Sequence, residues 1–163
     1  MNTEQKEKLE GLVQKLEDTK QEMKTEFQTI FKDASADLFD KYSWLQEISW
    51  TQFTPYFNDG DSCEFYVNSD FSINGATIYS GTLYNECWGS ILFDEDEDVF
   101  EAQKKEYDDS EDRRNEWKNV QDEFEYLIGF LSQNEEIALM LFGDHAKVSI
   151  QKSGAYVEEL EHD

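Results

Sequence analysis

Between Ile48 and Asn68, polar and apolar residues alternate with period two on both sides of one short loop, and this limits the fold more than any other feature of the chain. Ile48, Trp50 and Gln52 share one side, and Thr51 and Phe53 the other. Beyond the loop, Cys63, Phe65 and Val67 alternate with Glu64, Tyr66 and Asn68. The pattern predicts a β-hairpin. Pro55 lacks an N–H for the ladder and marks where the first strand stops, while Asn58-Asp59-Gly60 brings turn chemistry and a residue that tolerates positive φ. Asp59, Asp61 and Glu64 are oxygen donors of the kind a hard cation such as Ca²⁺ uses, with Asp144 or His145 as a more distant candidate ligand. Their spacing departs from the EF-hand, and ordinary turn formation explains the loop, so no metal is expected.

Trp50, the run Phe53-Thr54-Pro55-Tyr56-Phe57-Asn58-Asp59-Gly60-Asp61 and then Cys63-Glu64-Phe65 form the pattern W-x-x-F-T-P-Y-F-N-D-G-D-x-C-E-F. It resembles the central motif of a family of small uncharacterised proteins of bacteriophages and bacteria. Phe142-Gly143-Asp144-His145, Lys147-Val148 and Glu161-His162-Asp163 are similar to that family's C-terminal pieces. The resemblance implies a phage or bacterial origin and a shared shape; it carries no activity.

With 163 residues the chain is long enough for one real core and reads as a single domain, 1–163. Its 38 acidic and 14 basic side chains give a net charge of −24. Aromatic residues make up 15%, far from the aromatic-poor composition of disordered acidic chains, so a folded acidic body is expected. Its field repels nucleic acid and anionic membranes and speeds encounter with basic partners. No run of about 18 apolar residues and no leader-like segment is seen, so a cytoplasmic location is expected, the host cytoplasm if phage-encoded. Cys63 and Cys87 lack framework spacing, fit a reducing compartment and read as small buried hydrophobes. Catalysis would need one of them beside His145 or His162, and nothing in the spacing arranges that. No phosphate loop, zinc spacing or nucleophile elbow is present, so neither enzyme activity nor a cofactor is expected.

Two segments carry apolar residues in a three-four alternation. Residues 1–34 present Leu9, Val13, Leu16, Met23, Phe27, Ile30 and Ala34, with Lys20 as the polar exception, on a long amphipathic helix that Thr3 is placed to cap. Eight acids and six bases leave this segment at −2. A shorter helix over 36–46 should follow. Trp117, Val120, Phe124, Leu127 and Leu131 define a second long helix over 113–132, expected to pack antiparallel along the first. Asn134 should cap a short helix, Glu135 to Phe142, ended by Gly143. Lys147–Gln151 and Ala155–Leu160 read as a second hairpin, with Val148 and Ile150 facing Val157 and Ala155. Thr77-Ile78-Tyr79 and Leu83-Tyr84 are weak strand candidates, and Ser90–Phe93 a weaker one. The fold class is α+β: a small antiparallel sheet from two hairpins, with a long N-terminal helix packed antiparallel on a second helix.

Residues 94–116 hold twelve acids and four bases. Such a run reads as a solvated face or a disordered loop, although Phe100 and Tyr107, seven apart, allow part of it to be helical. Carboxylates displayed in this way imitate the phosphates of nucleic acid. The leading functional expectation is therefore a non-enzymatic interaction protein, phage-encoded, that inhibits by occupying a basic site on a host protein such as a nucleic-acid-binding enzyme or defence factor. The candidate contacts are Asp94, Glu95, Asp96, Glu97, Asp98, Asp108, Asp109, Glu111 and Asp112, with Glu123 and Glu125 on the second long helix. Tyr56 and Phe57 join them, because both sides of the hairpin are aromatic and a small sheet has one face toward its helices. The alternative is a structural or scaffolding protein that self-assembles into a homo-oligomer through the helical seams.

Overall fold

The structure is a computed structural model that describes residues 2–55, 60, 63–85 and 94–160, the side chains of 94–96 excepted. It is α+β. Helix α1 (Thr3–Lys41) leads into strand β1 (Glu47–Phe53), followed by β2 (Tyr66–Ile73), β3 (Ala76–Tyr79) and β4 (Thr82–Asn85). Helices α2 (Asp94–Asp109), α3 (Glu111–Gln133) and α4 (Glu135–Phe142) come next, and β5 (Ala146–Gln151) and β6 (Gly154–Glu159) close the order. The six strands form one antiparallel sheet in the order β4-β3-β2-β1-β5-β6.

The expected hairpins are both present, and a third is added. β1 pairs with β2 through Ile48↔Ile73 and Gln52↔Val67, and β5 with β6 through Val148↔Val157 and Ile150↔Ala155. β1 and β5 join them at the centre, with Trp50 opposite Val148. The weak candidates around Ile78 and Leu83 form a third hairpin closed by Ser80-Gly81, and Asn74-Gly75 turns β2 into it, with positive φ at all four residues. The candidate at Ser90–Phe93 lies outside the described residues.

The register divides the sheet into two unlike faces. Ile48, Trp50, Gln52, Val67, Ile73, Val148 and Ile150 are all buried on the face that meets the helices. Trp50 sits between Phe124 of α3 and Phe142 of α4, at ring-centroid distances of 6.1 and 5.4 Å. The opposite face is polar and aromatic: Ser72, Ser49, Ser149 and Tyr156 run across it in one row, and Tyr66 packs on Phe53 at 4.6 Å.

Helix α3 buries Trp117, Val120, Phe124 and Leu131 as the spacing required, with Ile128 completing the line and Leu127 half-buried beside it. Helix α1 behaves differently. It runs unbroken through the expected gap at 35, where no Gly or Pro interrupts it, and Asn2 rather than Thr3 caps it, in a capping box with Gln5. Only about its last two-fifths is packed, along Phe27, Phe31, Ser35, Leu38 and Phe39, with Tyr42 buried just beyond its end. There it runs antiparallel to α3, with Phe27 near Phe130 and Lys41 bonded to Glu123. The rest of the expected seam, Leu9, Val13, Leu16 and Met23, is in solvent, as is Ile30 at 63% exposure. Length accounts for this: 39 residues of helix span about 58 Å, whereas the longest strand reaches about 26 Å. A strict seven-residue repeat also drifts about 20° per heptad on a straight helix, which turns Ile30 and Ala34 away from the line that reaches the core.

Asn134 joins α3 to α4 but does not cap α4 with its side chain; its Nδ2 donates to Phe130 O at 2.8 Å, closing the end of α3 instead. Cys63 is exposed and free, contrary to the buried position expected for it, because the ladder begins at Tyr66 and the strand alternation does not extend back to it. Cys87 lies outside the described residues.

Candidate protein-interaction surface

The acidic run is helical. Its five leading acids occupy the first turn and a half of α2, where the unpaired N–H groups and the positive end of the helix dipole favour negative charge. Lys104 and Lys105, one turn before the C-terminal end, pair with Asp108 and Asp109. The Lys104 ammonium is held above its ordinary pKa chiefly by the hydrogen bond to Asp108. The helix is anchored by Tyr107, buried at the seven-residue spacing from Phe100 and edge-on to Trp117 at 6.1 Å, with its hydroxyl donating to Gly81 O. Helix formation and anchoring together overturn the loop reading of this segment.

Helices α2 and α3 meet at one residue, Ser110, whose hydroxyl oxygen accepts from Arg113 N at 3.2 Å and caps α3. Two arginines brace this corner. Arg114 donates to Tyr107 O and Asp108 O, carbonyls left open by the end of α2. Arg113 bridges Glu106 of α2 at 3.1 Å and Glu116 of α3 at 2.9 Å, and its guanidinium lies over Trp44, which stacks on Trp117 at 4.8 Å. The indole pair ties the corner to the link between α1 and β1. Neither arginine is conspicuous in the sequence, where both count merely as offsets to the acids; the signal is their place just after a capping serine.

The corner brings Asp108, Asp109, Glu111 and Asp112 together, all four exposed. Glu97 and Asp98 are also exposed but lie at the far end of α2, about 15 Å of helix rise away. Asp94, Glu95 and Asp96 belong to that same first turn. Glu123 and Glu125 are exposed on α3, about 17 to 20 Å beyond the corner, one on each flank of the buried line, about 100° from it. Glu123 is shared with Lys41 at 3.4 Å, and Glu125 accepts from Gln121 at 2.9 Å. The candidate set is therefore a patch at the corner with two outlying groups. Tyr56 and Phe57 lie outside the described residues.

A second polar constellation fixes the chain where β1 ends. Asp144 accepts from Thr54 N at 2.8 Å, from Thr54 Oγ1 at 2.7 Å and from His145 N at 2.8 Å. Burial pushes its carboxyl upward, but these hydrogen bonds outweigh it and hold the pKa below the ordinary value. Of the donors considered for a cation, Asp144 is thus committed to Thr54, while Asp59 and Asp61 lie outside the described residues. Among the described residues no group of three or more His, Cys, Asp or Glu is placed to hold a metal ion. Gln52, fully buried, donates to Ala138 O at 3.2 Å and Gly143 O at 2.6 Å, and so ties β1 to α4.

No family model, no curated protein and no solved structure matches the chain. Among the described residues no helix is long and apolar enough to cross a membrane.

Proposed function

We propose that this chain is a non-enzymatic acidic interaction protein, phage-encoded, that occupies a basic nucleic-acid-binding site of a host protein. The observation that supports it is the charge density of α2. Nine acids and two bases over 16 residues leave −7 on about 24 Å of helix, one net charge per about 3.4 Å. One strand of duplex DNA carries one charge per about 3.4 Å of axis. The braced corner adds Glu111 and Asp112, for which no ion pair forms among the described residues, and the Arg113 bridge over the indole stack anchors this end of the array. An array of like charges anchored to the body loses less freedom on binding a basic groove than an unanchored one.

The test is capture from bacterial lysate followed by competition. The chain should retain a nucleic-acid-binding protein at low salt, release it near 0.5 M salt, and displace DNA from that protein. Neutralising Asp108, Asp109, Glu111 and Asp112 to Asn or Gln should weaken the displacement at least tenfold and flatten its salt dependence. Displacement unaffected by those changes would remove the reading.

A further inference from the structure

We propose that the projecting part of α1 pairs with the same helix of a second copy in an antiparallel coiled coil, independently of the acidic surface. Leu9, Leu12, Val13, Leu16, Met23 and Ile30 are 40 to 63% exposed on a helix that extends well past the sheet. The three-four spacing from Leu9 to Ala34 is a two-stranded seam in which Leu9, Leu16, Met23 and Ile30 hold one core position, and Val13, Lys20, Phe27 and Ala34 the other.

Charge selects the occupant. Residues 1–34 carry −2 of the total −24, leaving −22 on the remainder, so this helix is where two copies approach with least repulsion. Its charges are mixed along its length and self-complementary, which suits neither a strongly basic nor a strongly acidic foreign helix.

Charge also selects the direction. Parallel pairing would set the two −22 bodies side by side; antiparallel pairing puts them at opposite ends of the coil, several Debye lengths of about 8 Å apart. The register follows from matching the seam to itself. Layering Ile30 on the partner's Val13, Met23 on its Lys20 and its Leu16 on the outer edge of Phe27, which is half-buried against Phe130, covers the exposed seam. It also brings Glu17 of each copy beside Lys24 of the other. Lys20, already 3.6 Å from Glu17 on its own helix, keeps its ammonium at the edge of the seam while its stem is covered.

Single cysteines at exposed seam positions test this in a C63S/C87S background. Mixed and oxidised, Val13→Cys and Ile30→Cys chains should give a disulfide-linked heterodimer. Each alone should not, because its own copy lies 17 residues away, about 25 Å. The unaltered chain should sediment as a dimer at tens of micromolar, and Leu16→Glu with Met23→Glu should make it monomeric without changing the near-ultraviolet circular dichroism of the body. A monomer across the whole concentration range would overturn the proposal, and so would ready cross-linking of either cysteine variant by itself, which antiparallel pairing in this register does not allow.

Discussion

Helices α1 and α3 carry the same apolar spacing and have opposite fates. The α3 line closes on the sheet through Trp117, Val120, Phe124, Ile128 and Leu131, every one nearly inaccessible, while the α1 line from Leu9 to Met23 stays in water. Periodicity states that a helix has two unlike sides, but not what will cover the apolar one. The difference lies in size and reach. The α3 line includes Trp117 and Phe124, each filling a large part of the core, and lies over the sheet; the α1 seam from Leu9 to Met23 holds aliphatic residues and Lys20, and it runs past the sheet's edge. Where α1 does reach the core, its side chains become large and aromatic, at Phe27, Phe31 and Phe39, with Tyr42 just beyond its end.

The largest expected effect tests that contrast directly. Phe124→Ala removes a ring packed on both Trp50 and Phe71 and should cost about 3–5 kcal/mol of unfolding free energy in urea titration. Leu16→Ala, at the same kind of position on α1, should cost under about 0.5 kcal/mol at dilutions where the chain is monomeric. Similar costs for the two would mean that α1 is packed along its length.

Much of this architecture was legible beforehand, for identifiable reasons. The hairpins at Ile48–Asn68 and Lys147–Leu160 could be read because one face of each central strand is buried, which forces alternation. Helix α4 could be read from Glu135-Glu136 at its start and Gly143 at its end, because both act through local backbone chemistry. The extent of α1's packing could not, since it depends on how far the sheet reaches. Nor could the braces at the acidic corner: Arg113 and Arg114 act through Trp44 and through carbonyls at the end of another helix. The candidate carboxylates were legible as a charge run, but their division into a corner patch and two outlying groups depends on where α2 stops.

A smaller effect concerns the body alone. Asp144→Ala takes three hydrogen bonds from the Thr54–His145 junction, and its partial exposure keeps the expected cost to about 1 kcal/mol. Because the folded pKa is depressed, this contribution is fully present above the ordinary Asp value of about 3.9 and is lost as pH falls through the lower folded value. Urea midpoints of the parent and the variant should therefore differ at neutral pH and converge below about pH 4. A gap that persists in acid would mean that the carboxylate's charge is not what fixes the junction.

The smallest global effect is expected at the other extreme of α1. Asn2 Oδ1 accepts from Gln5 N at 2.8 Å, and Gln5 Oε1 accepts from the backbone N of residue 2 at 2.9 Å, so Asn2→Ala removes the first bond and leaves the second, which needs no side chain at residue 2. Locally this should cost about 1 kcal/mol of helix stability. The affected turns touch nothing in the body, so the cost should show as faster amide exchange over roughly residues 3–15 and a slight loss of helical signal, with the global urea midpoint unchanged. If the midpoint falls with the cap, the first turns of α1 are coupled to the core. The two helices would then differ in how strongly they are held, not in whether they are held at all.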